Sequence, residues 1–383
     1  MRDSIDPATL GQSTDDQSTL DRSAVDQSAL DQSALDQSAL DQLARDQLAR
    51  DQLALDQLAR DQLAHDELAL DQLVGATAGR IYCSDLARAA AAPLIGTAEP
   101  VDVWLLLEYA APWRPRATDD NSLPAAVNAW LDAAVTRLEE TLQCTARVQF
   151  IRQPGRSGPA PRFFIVESFE TRPTIHGWTL ARYEDLLLVD PVAVVRDGDG
   201  SESGGTLVEA PLYLVCTHGQ RDLCCARFGL PVYERLAAQH GAAVWQTTHL
   251  GGHRYAPNLV CLPEGVVYGF AQPDIAPDLV AAVRQGEIVL DSLRGRSCFP
   301  PHVQVAELAA RRRAGVTRID GLRLSGDRQL SDDEWRVTFE IARHGRLALT
   351  VRRAPSIEVQ ASCGDGKTKQ IEQFVIVDEA RQA

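Results

Sequence analysis

The chain has 383 residues, enough for two or three domains at roughly 100–200 residues each. Its 45% hydrophobic and 24% charged residues are ordinary for a soluble globular protein, and no apolar stretch reaches the ~18 residues of a membrane span. A net charge of −15 leaves no basic face for nucleic acid, and the N-terminus lacks the pattern of a secretory signal. We therefore expect a cytoplasmic protein whose partners are neither nucleic acids nor membranes.

Residues 1–75 read as a low-complexity tail with a period of five residues. Asp recurs twelve times from Asp16 to Asp71, usually followed by Gln, and residues 1–73 carry −11 of the net charge. Five residues turn an α-helix by about 500°, so the recurring leucines do not line one face that could be buried. The alternative structure is a pentapeptide-repeat β-helix, but the Leu and Arg side chains of the later Asp-Gln-Leu-Ala-Arg units would crowd its interior. We predict a disordered or transiently helical tail, with tethering or oligomerisation as its alternative roles and no chemistry of its own.

Residues 76–200 are predicted to form an α/β domain. The run VDVWLLLEYA, at 101–110, indicates a buried strand, and residues 124–143 have apolar positions at helical spacing. The remaining elements are a short helix over 83–92 and strands over 146–151, 163–167 and 174–179. The sequence DGDGSESGG, at 197–205, has the composition of a linker to the next domain.

Residues 206–300 are predicted to form a second α/β domain. Its elements are strands over 212–215, 243–246, 259–262 and 266–270 and helices over 227–240 and 279–284. Their order, β-α-β-β-β-α, is the reduced order of a thioredoxin-like fold. The first domain has a similar order, so we interpret it as a second, degenerate copy. Residues 301–383 add a helix at about 302–313 and alternating strands over 321–376, which form a small β-rich appendage.

The residues that carry chemistry lie in two short segments of the second domain. Three of the eight cysteines fall in CTHGQRDLCC, from Cys216 to Cys225, and the segment HLGGHR, from His249 to Arg254, follows. Thiolate and imidazole ligands together suit zinc or an iron–sulfur cluster and argue against magnesium or calcium. The histidine pair fits the His-x3–5-His spacing of structural zinc sites, whereas Cys216 and Cys225 are too far apart for a Cys-x2–4-Cys knuckle.

The runs CTHGQRDLCCARFGLPVYERL and TTHLGGHRYAPNLVCLPEGVVYGF resemble the sucrase/ferredoxin-like family, over roughly residues 80–300. This resemblance implies a thioredoxin-like ferredoxin whose [2Fe-2S] cluster is held by Cys216, Cys225, His249 and His253. Cys224 is the alternative to Cys225, because adjacent side chains point apart and the two are not expected to bind together. We expect no sucrase activity, since no two carboxylates are placed for glycoside hydrolysis.

The predicted fold class is therefore α/β. A thioredoxin-like ferredoxin domain over 206–300 follows a second α/β unit over 76–200, which we interpret as a degenerate thioredoxin-like copy. A small β-rich appendage over 301–383 completes the chain, and the low-complexity tail over 1–75 lies outside the resemblance.

Four residues beside the implied ligands are predicted to support the site. His218 either tunes the cluster or packs within its loop, and Arg221 and Asp222 are expected to pair and brace that loop. Arg254 either donates to the cluster, guides a partner protein or is a plain surface arginine. The remaining cysteines are isolated along the chain, and we expect them to be small buried hydrophobic residues: Cys83, Cys144, Cys261, Cys298 and Cys363.

The expected function is one-electron transfer, more that of a carrier than of an enzyme. Two thiolates in place of four leave the oxidised cluster neutral, so its potential should exceed that of plant-type ferredoxins. An exposed second imidazole nitrogen would couple electron uptake to proton uptake. The expected partners are a reductase and an electron acceptor, and nothing in the sequence indicates an oligomeric state. The alternatives are a structural Cys2His2 zinc module without redox activity and a thiol oxidoreductase, although the usual Cys-x-x-Cys is missing.

Overall fold

A computed structural model describes residues 82–154, 156, 160–342, 345–363 and 367–382. The tail predicted over 1–75 lies outside the described residues. Within the described ranges the chain forms six α-helices and fourteen strands, and the strands lie in one large and one small sheet. None of these helices is both long and apolar enough to cross a membrane.

Residues 103–207 build the first half of the large sheet. Its elements are β1 (Val103–Glu108), α2 (Ala125–Leu142), β2 (Ala146–Arg152), β3 (Arg162–Glu167), β4 (Thr174–Thr179), α3 (Pro191–Asp197) and β5 (Thr206–Leu207), preceded by α1 (Cys83–Ala89). Strand β1 is buried along its whole length, as its apolar sequence VWLLLE favours, and it pairs parallel with β2 and antiparallel with β3. Strand β4 pairs with β3, so the strand order of this half is β2-β1-β3-β4-β5.

Residues 212–296 build the second half. Its elements are β6 (Leu212–Cys216), α4 (Leu223–His240), β7 (Val244–Thr247), β8 (Leu259–Leu262), β9 (Val266–Tyr268), α5 (Ala276–Arg284) and β10 (Leu293–Arg296). Strand β6 pairs parallel with β7 and antiparallel with β8, and β9 lies beyond β8. The order and pairing of elements therefore repeat those of the first half, with β6 in the place of β1.

Strands β2 and β7 join the two halves. Ile151 and Arg152 pair antiparallel with Thr247 and Gln246, so all ten strands form one sheet in the order β10-β9-β8-β6-β7-β2-β1-β3-β4-β5. Apolar side chains from both halves meet in one hydrophobic cluster, in which Leu106 and Trp245 are completely buried. The molecule is thus a mixed α/β protein, and the predicted domain boundaries near 200 and 300 stay predictions.

Residues 301–382 form a helix and a separate antiparallel sheet. The elements are α6 (Pro301–Ala314), β11 (Leu322–Ser331), β12 (Glu334–Ile341), β13 (Gly345–Gln360) and β14 (Thr368–Gln382), and the strands pair in chain order. Helix α6 packs on this sheet through Val303 and Ala306, which contact the cluster of Phe339 and Leu349. The end of the β13–β14 hairpin reaches the loops of the large sheet, where Ser362 and Cys363 both donate hydrogen bonds to Asp222.

Most of the predicted elements are confirmed, and two differences bear on the site. Helix α4 begins at Leu223 rather than at 227, because the Asp222 carboxylate accepts the N–H of Cys224 at 3.0 Å and caps the helix. Strand β10 was not predicted, since its sequence LRGR looks exposed. Both of its arginines, Arg294 and Arg296, are nevertheless buried.

The segment over 197–205 also differs from the predicted linker. Ser201–Ser203 form a short 3-10 helix, and the Ser203 carbonyl accepts a hydrogen bond from the Trp178 indole at 3.0 Å. This segment therefore packs on the first half of the sheet.

Candidate metal centre

The two motif loops meet because β6 and β7 are parallel neighbours. Cys216, the last residue of β6, lies opposite Thr247, the last residue of β7. The loops that leave these strands, over 217–222 and 248–252, therefore start side by side at one edge of the sheet. Gly251 and Gly252 follow with φ of +80° and +64°, a left-handed backbone that favours glycine and turns the chain between the two histidines.

The first candidate group consists of Cys216, Cys225 and His249, whose ligand atoms all lie within 4.8 Å of one another. The Cys225 Sγ lies 3.4 Å from His249 Nδ1. Both cysteines are completely buried and His249 is half-buried. A hydrogen bond from Cys225 lowers the pKa of the Cys216 thiol well below its usual range, and the same contact raises the pKa of Cys225. One of the two thiols is therefore prepared to be a thiolate ligand.

The second candidate group contains three cysteines that we call the thiol triangle: Cys83, Cys224 and Cys363. The Sγ atoms of Cys83 and Cys224 are 3.3 Å apart, those of Cys224 and Cys363 are 3.0 Å apart, and those of Cys363 and Cys83 are 3.2 Å apart. A carboxylate oxygen of Asp222 lies within 4.8 Å of all three sulfurs. Cys83 is buried as predicted and Cys363 is half-buried, but the two cysteines, which are isolated along the chain, lie together with Cys224 in space.

Asp222 holds the triangle together through its hydrogen bonds. Its Oδ1 accepts the N–H of Cys224, while its Oδ2 accepts the Ser362 hydroxyl at 2.7 Å and the N–H of Cys363 at 3.2 Å. One carboxylate thus joins the start of α4 to the end of β13. The predicted pairing with Arg221 is not the contact that braces this loop; among the described residues, the Asp222 carboxylate instead faces His253 Nδ1 at 3.2 Å.

His253 lies between the two groups. Its ring centroid is 5.8 Å from that of His249, but its Nδ1 faces Cys83 Sγ at 3.1 Å. Its Nε2 lies 2.8 Å from the Ala361 carbonyl, an arrangement in which Nε2–H donates and Nδ1 is left as a metal-binding nitrogen. Burial lowers the pKa of His253, which favours the neutral ring that a metal ligand requires. The structure therefore brings together three of the four predicted ligands and places the fourth beside them.

The other predicted neighbours have structural contacts of different kinds. His218 Nδ1 accepts the N–H of His249 at 3.3 Å, while its Nε2 lies 2.9 Å from the Arg114 carbonyl, so this ring fixes the backbone of His249. Arg254 is only 4% exposed, and the reading as a plain surface arginine is wrong. Its guanidinium lies 5.9 Å from the Tyr255 ring and interacts electrostatically with Cys83.

An open cavity of about 720 Å³ borders the first group. Of the four predicted ligands, His249 lines it, together with Arg221 and His218. Arg147, on another part of the wall, donates from Nη2 to the His249 carbonyl at 2.7 Å and forms an ion pair with Glu99. His249 is thus the predicted ligand through which solvent or a partner protein can approach the group.

The fold and the site define a mixed α/β protein with two groups of cysteines, histidine and aspartate that could each hold a metal ion. The family model described as Sucrase/ferredoxin-like matches residues 94–295, more than half of the chain. The chain therefore belongs to the sucrase/ferredoxin-like family. Two members of the thiol triangle, Cys83 and Cys363, lie outside the matched residues.

Two similar proteins both carry the name altered inheritance of mitochondria protein 32. The one from Meyerozyma guilliermondii is 36% identical over 96 residues, which is 22% of this chain and 34% of that protein. The one from Clavispora lusitaniae is 31% identical over 101 residues, which is 24% of this chain and 37% of that protein. The chain therefore spans about a third of the length of these relatives. No solved structure matches it.

Proposed function

We propose that this protein binds a [2Fe-2S] cluster through Cys216, Cys225, His249 and His253 and transfers single electrons. The observation that carries the proposal is the convergence of Cys216, Cys225 and His249 at the ends of two parallel strands. Two buried thiols beside an imidazole form a donor set that suits iron and sulfide. His253 enters the proposal through its motif spacing and the closeness of its ring to that of His249.

A thioredoxin-like fold for each half of the large sheet is part of the proposal. It is supported by the shared order β-α-β-β-β-α and by the shared pairing, in which the first strand is parallel to the second and antiparallel to the third. On this proposal the first half is the degenerate copy, since the predicted ligands all follow strands of the second half.

The cluster, when bound, supplies one-electron chemistry, and two neutral imidazoles leave it less negatively charged than four thiolates would. Cys216 and Cys225 exclude water because both are completely buried. His249 is half-buried on the cavity wall, so its ring nitrogen that does not bind iron can exchange a proton with solvent. His253 exchanges a proton with solvent less readily, because its Nε2–H donates to the Ala361 carbonyl. We therefore assign the proton that accompanies the electron to His249.

The partners in this proposal are a reductase that supplies electrons and an acceptor that receives them. Both would approach through the cavity beside His249, whose wall carries Arg116, Arg147 and Arg221 as well as Glu99 and Asp132. A cytoplasmic location remains a prediction. No catalytic residue is assigned, since electron transfer requires none.

The test uses the full chain, expressed in iron-replete cells and purified without oxygen. Two irons and two acid-labile sulfides per chain, with a visible absorption that dithionite bleaches, are the expected result. The Cys216→Ser variant should lose this absorption, whereas Cys298→Ser, at a half-buried cysteine outside both groups, should keep it. Zinc without sulfide, removed by Cys216→Ser, would favour the structural Cys2His2 zinc module and refute the electron-transfer function.

A further inference from the structure

The sulfurs of the thiol triangle lie close enough together to share one metal ion after a small outward shift. Its three S–S distances, 3.0 to 3.3 Å, are far beyond the ~2.05 Å of a disulfide. Zinc holds four ligands tetrahedrally with Zn–S near 2.3 Å, which spaces sulfurs about 3.8 Å apart. Each pair of sulfurs would have to spread by about 0.5–0.8 Å to bind one ion.

The negative charges that the thiol triangle would carry as thiolates also favour a bound cation. Cys83 and Cys224 are buried, and Cys363 is half-buried. The three sulfurs lie within 3.3 Å of one another, too close for three thiolates to coexist without a counter-charge. Like charges at this separation disfavour one another, and a bound divalent cation reverses that preference.

The groups around the thiol triangle stabilise negatively charged sulfur. The N–H of Cys83 donates to Cys363 Sγ at 3.3 Å, and the buried guanidinium of Arg254 interacts with Cys83 and Asp222. Three thiolates and the Asp222 carboxylate carry four negative charges, which a divalent ion and Arg254 reduce to one. Asp222 is itself oriented by three hydrogen-bond donors, as metal-binding carboxylates usually are.

We infer that Cys83, Cys224 and Cys363 bind a zinc ion, with Asp222 as the fourth ligand, in a site separate from the proposed cluster. A thiolate-rich, closed, tetrahedral set of this kind is typical of structural zinc. Cys224 and Cys225 lie in the first turn of α4, where successive residues point about 100° apart, so each serves a different group.

The zinc would connect parts of the chain that are remote in sequence. Cys224 lies 141 residues after Cys83 and 139 residues before Cys363. The ion would therefore fasten α1 and the end of β13 to the start of α4. The inference does not depend on the proposed cluster.

The experiment measures zinc, iron and sulfide on the same sample of the full chain. We expect about one zinc per chain, which the double variant Cys83→Ser/Cys363→Ser loses while iron and sulfide stay at the wild-type level. Cys298→Ser should retain all three, and Cys216→Ser should lose iron and sulfide but retain zinc. Zinc that survives the double variant would overturn the inference, as would iron and sulfide lost from a folded double variant.

A second measurement needs no variant. Zinc X-ray absorption on the wild-type chain should show about three sulfurs near 2.3 Å and one oxygen near 2.0 Å. Asp222→Asn, which keeps the helix cap, should weaken zinc binding at least tenfold in a competition with a chelator. A coordination of two sulfurs and two nitrogens would move the zinc to the first group and refute the inference. A disulfide among the three cysteines, found by alkylation and mass spectrometry in the zinc-replete protein, would also refute it.

Discussion

Gly229 is the position where a single methyl group should disturb the candidate site most directly. It lies inside α4, and a Cβ built on it would stand 2.1 Å from the carbonyl oxygen of Cys216 and 3.1 Å from the carbonyl carbon. The obstacle is backbone that cannot easily move, because the N–H of Cys216 donates to the Asn258 carbonyl at 3.1 Å and Cys216 pairs with Thr247. Either α4 or the end of β6 has to shift in the Gly229→Ala variant.

Two effects of opposite sign decide how the Gly229→Ala substitution changes the free energy of unfolding. Alanine is a better helix former than glycine, which alone would stabilise α4 by about 0.5–1 kcal/mol. Forcing an extra methyl group into packed surroundings costs about 1–3 kcal/mol, and a contact of 2.1 Å with backbone belongs at the upper end. We expect a net loss of about 2 kcal/mol, a fall in Tm of several degrees, and a lower metal content because the Cys216 sulfur moves with its backbone.

The assay is thermal unfolding of variant and wild type, with bound metals measured before each run because ligands shift Tm. Gly315→Ala is the matched control. That glycine ends α6 with φ of +64° and no atom within 4 Å of the added Cβ, so only backbone strain applies there. It should lower Tm modestly and leave the metal content unchanged. A Gly229→Ala protein that is as stable as wild type, or more stable, would refute the packing argument.

Three further predictions follow from the site and from the buried charges. Cys225→Ser should lose iron and sulfide but keep zinc, and Cys224→Ser should do the reverse; the same loss in both variants would contradict two separate groups. The reduction potential should fall by up to about 59 mV per pH unit wherever electron uptake is coupled to proton uptake, and a potential flat from pH 6 to 10 would remove the proton coupling. Burial raises the pKa of Glu264, so the folded state holds its proton more tightly and loses stability as pH rises through the unfolded pKa. Glu264→Gln should therefore raise Tm at pH 8 and lose this advantage near pH 4, whereas an equal gain at both would exclude ionisation as the cause.

Local pattern was enough to predict most of the elements, and the family resemblance implied the residues of the first candidate group. The strands at Thr174–Thr179 and Leu259–Leu262 have their predicted bounds, because short apolar runs between turn residues report burial directly. Cys216 and His249 follow two strands that share a helical crossover. Such strands are parallel neighbours, so their loops meet at one edge of the sheet.

The tertiary structure alone decided which distant segments complete the site. Cys83 and Cys363 are isolated along the chain, and nothing in the sequence indicates that they lie beside Cys224, since no local signal spans 139 residues. The pairing of β2 with β7 likewise depends on which strand edges remain free after each half has formed. The surface alternative for Arg254 fails for the same reason, because the packing around Tyr255 and the end of β13 buries this residue. Sequence therefore determined the elements and one local ligand set, whereas long-range packing decided the thiol triangle.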